Sequence, residues 1–289
     1  MVRPAPTLVF RDIQRRFDRA ASGFDDADFV HREAFGELLE RLEPVQVKPR
    51  TVLDLGCATG AGSRQLARHY RRSRIICLDA SSSMLRVAKK RATLFYRPSI
   101  VQGDARRIPL QDGSIDLVFA NMLLPWIDDH AACLAEVARV LRKDGVFAFS
   151  TCGPDSLSEL RDAWRSVDDE RHVGEFADMH DIGDTLVRAG LRDPVLDVDH
   201  LNVTYRDTDA LYRDLTNVGA RNCLAGRKQS LTGKATFKAL EDRLAERMID
   251  NVMTLRLELV YGHAWGGGPR LPAGEFRVDP GTIKHRSRV

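Results

Sequence analysis

Between residues 48 and 150, short β-rich runs alternate with helical segments, and this alternation constrains the fold more than any other feature of the chain. Residues 51–55 (Thr-Val-Leu-Asp-Leu) read as a strand ending in a glycine-containing turn, Gly56-Cys57-Ala58-Thr59-Gly60-Ala61-Gly62, with a helix over 63–70 behind it. Residues 74–79 read as the second strand, and 81–90 as its helix, with serines placed to cap the first turn. Further strands are expected at 99–102, 115–120 and 145–150. A helix over 130–141 is expected to stop at a glycine cap, Lys143-Asp144-Gly145. Strands separated by helices specify a parallel sheet covered on both faces, so the fold class is α/β.

The flanks are less regular. Residues 1–45 read as an N-terminal helical cap, with Arg11, Arg15, Arg16 and Arg19 at helical spacing. Beyond the cofactor half (46–150), a second half (151–265) carries helices near 155–167, 179–189, 208–218 and 234–248. It also carries strands near 195–205 and 256–265, the last expected to be antiparallel. Residues 266–289 read as a peripheral Gly/Pro-rich, then basic tail.

Composition removes several function classes. With 44 Lys+Arg against 41 Asp+Glu, the net charge of +3 is too small for a dedicated duplex-binding protein, so no nucleic-acid partner is expected. Uncharged stretches such as 117–127 fall short of the ~20 apolar residues a spanning helix needs. No secretory signal is legible at the N-terminus. The five cysteines (57, 77, 133, 152 and 223) are odd in number and include no C-x-x-C, which argues against a disulfide framework or a zinc site. A reduced, cytoplasmic protein is expected. His180, His200 and His263 lack metal-ligand spacing and read as structural, and no metal is expected.

The first strand–turn–helix carries the chemistry. A dinucleotide fingerprint G-x-G-x-x-G would need glycine at 58 and 61, where alanine stands. A nucleoside without a pyrophosphate is therefore the better ligand. Asp54 can accept from an amine lying over the loop, and glycine lets the backbone approach closely. Asp79 closes the second strand about 20 residues on, where an acid can bind ribose hydroxyls, and Asp104 stands after the third. These acids mark the carboxyl edge of the sheet, where open α/β folds bind ligands.

The order and spacing of these pieces over residues 45–150 resemble the seven-stranded class I S-adenosylmethionine-dependent methyltransferases, a Rossmann-like fold. The resemblance implies S-adenosylmethionine as cofactor. The 54–60 loop, including Asp54, Gly56, Ala58 and Gly60, would pass under its methionine moiety. Asp79, Ala80 and Met84 would hold the ribose side, Asp104 and Ala105 would flank the adenine, and Asn121 would face the sulfonium. Ala58 stands where many members have Gly.

Further segments resemble the malonyl-[acyl-carrier-protein] O-methyltransferases of biotin synthesis over residues 10–265. They are Phe17-Asp18-Arg19-Ala20-Ala21, Gly153-Pro154-Asp155-Ser156-Leu157, the run from Glu159 to Trp164, the run from Phe176 to Gly183, Gly219-Ala220-Arg221-Asn222 and the run from Val260 to Trp265. This resemblance implies methylation of the free carboxylate of a malonyl thioester on acyl carrier protein, giving the methyl ester from which the pimeloyl precursor is built. Two departures lie near the implied acceptor pocket. Phe24 stands where the family commonly has Tyr, and the strand-four segment reads Asn121-Met122-Leu123-Leu124-Pro125-Trp126 in place of a Gln-Trp.

A carboxylate acceptor is already ionised at neutral pH, so no catalytic base is expected. Phe24 and Trp126 are candidates for the acceptor pocket, with Arg19, Arg221, Arg227 and Lys228 as candidates to hold the anion. Residues 1–24 carry five arginines against Asp12 and Asp18, a local +3 suited to an acidic carrier protein. The N-terminal helix is also a candidate lid. Two competing readings share the cofactor fold. One is a protein-arginine hydroxylase or complex I assembly factor, and the other is a non-catalytic S-adenosylmethionine-binding protein.

Overall fold

The computed structural model describes residues 8–228 and 230–268. The expected tail therefore lies almost wholly outside the described residues, as does Arg3. Three helices open the chain, α1 (Phe10–Ala20), α2 (Phe24–Ala27) and α3 (Phe29–Leu42). The alternating half follows as β1 (Thr51–Leu55), α4 (Ala61–His69), β2 (Arg74–Asp79), α5 (Ser82–Lys90), β3 (Ser99–Gln102), β4 (Ile115–Asn121), α6 (His130–Val140) and β5 (Leu141–Cys152). The second half adds α7 (Ser158–Arg165), α8 (Met179–Arg188), β6 (Leu191–Tyr205), α9 (Thr208–Asn217), α10 (Lys234–Ala245) and β7 (Met253–Gly266).

The seven strands form one sheet in the order β3-β2-β1-β4-β5-β7-β6. The first five pair in parallel, and β7 runs antiparallel between β5 and β6. The order reverses at β1, where β2 and β4 lie on opposite sides, and a crevice opens there at the carboxyl ends. Burial follows the connectivity. The central strand β1 is buried from Val52 to Leu55, as helices on both faces require. The edge strand β6 instead alternates and is largely exposed. Pro194 sits there at the register shift between Arg192 and Val195, a place where a missing N–H costs the ladder nothing.

One apolar layer joins the sheet to α6 and α8 through residues such as Leu134, Val137 and Leu186. The opposite layer joins it to α3, α4 and α5 through Phe35, Leu38, Leu66 and Leu85. A small separate cluster of Ala20, Ala21, Phe24, Ala27, Met84 and Val218 seats the N-terminal helices on α5.

The glycine cap expected at Gly145 is not formed. Helix α6 ends at Val140, and its C-cap Leu141 is already extended and paired with Ile115. Gly145 instead lies within β5, where an added Cβ would sit 3.0 Å from the Asp116 carbonyl oxygen, beside the register shift between Ile115 and Leu117. The glycine serves a close backbone approach in the sheet, not a helix stop.

Candidate functional site

The turn after β1 is built from backbone conformations that few residues adopt. Gly56 and Gly60 have φ of 80° and 75°, and Ala58 between them has φ of 46°. Alanine in this left-handed region costs roughly 1–2 kcal/mol, so the loop is held there by bonding. The N–H groups of Gly56 and Cys57 donate to the Leu78 carbonyl (2.8 and 3.0 Å), and Ala58 N–H donates to the Asp79 carboxylate at 2.9 Å. Gly60 then opens α4, with its backbone against Ala88 of α5.

The acids at the strand ends occupy three different environments. Asp54 is buried on β1, where it accepts from the Ser63 hydroxyl. Burial pushes its carboxyl up to about 7, opposed by Ser63 and reinforced by the nearby Asp79 charge. Asp79 accepts the N–H groups of Ala58 and Ser81 (2.9 and 2.8 Å), yet burial still leaves its pKa above the ordinary carboxylate range. The Asp104 carboxylate is held by the guanidinium of Arg106, which itself lies 4.7 Å from the Phe10 ring centroid.

The N-terminal helices close over these strand ends. Gln14 donates to the Ala80 carbonyl (3.2 Å), and Asp18 accepts from the Ser81 hydroxyl and the Ser83 N–H (2.7 and 2.9 Å). Asn121 lines the cleft and is bonded on both sides. Its amide donates to the His31 carbonyl at 2.9 Å and accepts from Ser150 at 2.7 Å, so it ties α3 to the end of β4. A cleft of about 60 Å³ remains, walled by Phe24, Asp28, His31 and Phe35 on the cap side. Asp54, Gly56, Ala58 and Asn121 wall it on the sheet side.

Sequence reasoning passed over Asp28 and His31. The Asp28 side chain is buried, and Arg32 lies 3.1 Å away across an ion pair. Asp28 Oδ1 and His31 Nδ1 nevertheless lack hydrogen-bond partners among the described residues. Burial lowers the His31 pKa to about 4, so the ring is neutral at pH 7. Its centroid lies 5.1 Å from that of Phe24. The spacing of 28, 31 and 35 suits one helical face, but nothing local marks that face as the wall of a cleft. Also missed was a trio at the cleft rim. Thr59 donates to Asp25 (2.6 Å), and Arg91 bonds both Asp25 and the Thr59 carbonyl.

The remaining sequence candidates are distributed differently. Met84 is fully buried beneath the cap cluster, and Ala105 belongs to the apolar layer under α6; neither lines the cleft. Trp126 meets Phe17 of α1 edge-on at 5.1 Å, so it helps seat the cap. Arg19, Arg221 and Lys228 are exposed. Arg227 is paired with Asp12 of α1 and clamps the 219–230 loop to the cap. The structure therefore does not bring these four cations together at the cleft. No helix among the described residues is long and apolar enough to cross a membrane.

Comparison with known proteins adds to this geometry. A family model described as a methyltransferase domain matches residues 53–149. A malonyl-[acyl-carrier protein] O-methyltransferase from Halorhodospira halophila is 41% identical over 290 residues, covering 98% of each chain. One from Gallionella capsiferriformans is 40% identical over 265 residues, covering 90% of this chain and 91% of its own. Among solved structures, the YcgJ protein of Bacillus subtilis superimposes with a TM-score of 0.59 at 17% identity, covering 81% of this chain and 98% of its own. At that identity the likeness is one of fold.

Proposed function

The chain belongs to the malonyl-[acyl-carrier protein] O-methyltransferase family, and we propose that it moves the methyl group of S-adenosylmethionine onto the free carboxylate of a malonyl group carried by acyl carrier protein. The observation that carries this reading is the convergence on one cleft of the buried Asp54, the Gly56–Ala58 turn and the cap residues Phe24, Asp28, His31 and Phe35. The product, a methyl ester, removes the charge from the chain end and suits the start of pimeloyl and biotin synthesis. The reading includes a cytoplasmic location, since all five cysteines are free and buried, as a reducing compartment allows.

The residues present fit the cofactor. Asp54 is a buried carboxylate without a cation, the partner an α-ammonium group would supply. Asp79 retains acceptor capacity for ribose hydroxyls beyond the two N–H bonds it receives. Gly56, Ala58 and Gly60 let the backbone lie close under the ligand. Asp104 can offer an adenine amino group only what Arg106 leaves it. When bound, S-adenosylmethionine supplies an electrophilic methyl group on a positively charged sulfur. The cleft as folded is far smaller than the ~300 Å³ typical of ligand pockets, so the α1–α3 cap must lift for entry.

No proton has to move. The acceptor carboxylate arrives ionised, its oxygen attacks the methyl carbon, and the carbon–sulfur bond breaks as the ester bond forms. The chain contributes orientation and the exclusion of water, effects that together account for many orders of magnitude in rate. Phe24 and Phe35 provide an apolar wall, and Asn121 fixes the cap backbone at His31. The neutral His31 ring can donate to the acceptor carboxylate without cancelling its charge, taking the place Phe24 cannot fill.

The test is transfer of labelled methyl from S-adenosylmethionine to malonyl-acyl carrier protein, with unloaded carrier and free malonate as controls. Transfer that depends on the malonyl group is expected. Tight cofactor binding with no transfer to the malonyl carrier would overturn the reading.

Asp54 adds a pH dependence. Its folded pKa is raised from 3.8 to about 7, so the folded state holds the proton more tightly than the unfolded chain. Its contribution to stability is then largest at low pH and declines as pH rises between those values. An α-ammonium ligand needs the ionised form. Affinity for S-adenosylhomocysteine is therefore expected to rise by up to roughly tenfold per pH unit below 7 and to level off above it. Calorimetry across pH 5.5–8 measures this, and Asp54→Asn should flatten the slope.

A further inference from the structure

The segment from Ala80 to Gly103 carries five cations (Arg86, Lys89, Lys90, Arg91 and Arg97) and no acid, in a chain whose net charge is only +3. Within it the chain makes a tight turn between α5 and β3. Thr93 N–H donates to the Tyr96 carbonyl (2.8 Å), and Tyr96 N–H returns the bond to Thr93 (3.3 Å). Two residues therefore sit at the apex, and they are Leu94, 71% exposed, and Phe95, 96% exposed. Turn chemistry favours Gly, Asn or Asp at such positions, and a free apolar apex gains nothing from folding.

The apex is not loose. Tyr96 is buried against Leu66, Tyr70 and Leu85, with its hydroxyl 3.8 Å from the Cys77 sulfur. At the other end of the turn Arg91 holds Asp25 of the cap and the carbonyl of Thr59, a residue of the cleft. An exposed aromatic residue on a fixed base, within a sequence segment rich in cations, has the composition of an interface anchor. Lys89, Lys90 and Arg97 are exposed and have no ion pair among the described residues.

Beside the turn, an open trough of about 580 Å³ runs between α5 and the end of α1. Ser83, Arg86, Val87, Lys89 and Lys90 line one side, and Asp18, Ala21 and Ser22 the other. Ala21 packs in the same cluster as Phe24, which walls the cleft. The turn, the trough and the cleft thus share the α1–α2 corner.

Resting on the proposed reaction, we propose that the Leu94–Phe95 turn, with Lys89, Lys90 and Arg97, is the surface on which the acidic carrier protein docks to deliver its malonyl arm. Charge complementarity favours that occupant: a strongly acidic domain meets an acid-free segment of five cations, and its apolar residues cover the exposed Leu94 and Phe95. This surface differs from the N-terminal arginines suggested by sequence alone. Of those, Arg16 is bonded to the Asn222 carbonyl at 2.7 Å, and Arg15 lies 4.0 Å from Asp12.

The experiment compares full-length wild type with Phe95→Ser and with the double variant Lys89→Glu/Lys90→Glu. Acceptors are malonyl-acyl carrier protein and malonyl-pantetheine, with S-adenosylhomocysteine affinity as the folding control. On the carrier, kcat/KM should fall about tenfold for Phe95→Ser and more for the double variant, whose salt dependence should also flatten. On malonyl-pantetheine, and in cofactor affinity, the variants should match wild type. Direct titration of malonyl carrier onto the S-adenosylhomocysteine-loaded enzyme should show the same ranking through Kd. Wild-type transfer to the carrier with variants equally active would overturn the docking surface alone. Equal losses on both acceptors would also overturn it, because the defect would not be one of docking. No wild-type transfer to the malonyl carrier would overturn the proposed reaction, and the docking surface with it.

Discussion

Replacing Asp79 by alanine is expected to weaken S-adenosylhomocysteine binding by roughly two to four orders of magnitude. A hydrogen bond to a charged group contributes about 1.5–3 kcal/mol, so two ribose hydroxyls on one carboxylate amount to about 3–6 kcal/mol, or roughly 10²–10⁴ in Kd. The same carboxylate accepts the Ala58 and Ser81 N–H groups, so the change also frees the turn after β1. Asp79→Asn keeps one acceptor oxygen and should fall between alanine and wild type. Titration calorimetry well below the melting transition of each variant measures the effect on folded protein. A loss under about threefold for Asp79→Ala would remove Asp79 from the binding site, because no charge-assisted bond is that weak in a buried cleft.

The parallel half of the sheet was legible because β1 to β4 are short runs bounded by turns, and β1, β2 and β4 are each followed by a helix before the next strand. From β1 to β4 the expected and observed strand limits differ by at most one residue, Asn121 extending β4. The three acids could be placed at strand ends for the same reason. Legibility failed where a residue's job is decided by something distant. Gly145 looked like a helix cap in local sequence, but it is required by the approach of the Asp116 carbonyl in the neighbouring strand. Asn121 lines the cleft, but its bond to the His31 carbonyl, 90 residues away, could not be read from local sequence. Arg227 looked like a free cation and is spent on Asp12, 215 residues away. The cap residues Asp28 and His31 acquire meaning only once α3 lies across β4, and no local pattern announces that crossing.

The exposed turn at Leu94–Phe95 illustrates the complementary case, in which sequence and structure are each mute alone. In sequence, Leu94, Phe95 and Tyr96 form one apolar run, as if all three were core. The structure buries only Tyr96 and turns the other two outward. An acid-free basic stretch is likewise unremarkable until Lys89, Lys90 and Arg97 are found exposed on either side of that turn in the chain.

The second large effect is expected at Gly60, and it separates two reasons for a glycine. Gly60→Ala should destabilise the protein by about 3 kcal/mol. A left-handed φ costs an L-residue roughly 1–2 kcal/mol, and forcing a methyl group into packed surroundings costs roughly 1–3 kcal/mol. Reduced freedom of the unfolded chain returns about 0.4–1 kcal/mol. The added Cβ would stand 2.8 Å from the Ala88 Cβ and 3.2 Å from its Cα, and the latter is backbone that cannot turn aside. Helices α4 and α5 would have to separate just where Thr59 and Arg91 link them to the cap. Gly113 supplies the control. Its φ of 58° is also left-handed, but an added Cβ meets nothing within 4 Å. Gly113→Ala shares the conformational cost and the unfolded-state gain, leaving a loss of about 1 kcal/mol or less. The difference between the two variants, read by denaturant unfolding, therefore isolates the close approach of α5 to the turn. Cofactor affinity should fall for Gly60→Ala and stay unchanged for Gly113→Ala. Equal stability losses would show that the turn needs glycine for its φ alone and that α5 does not press on it.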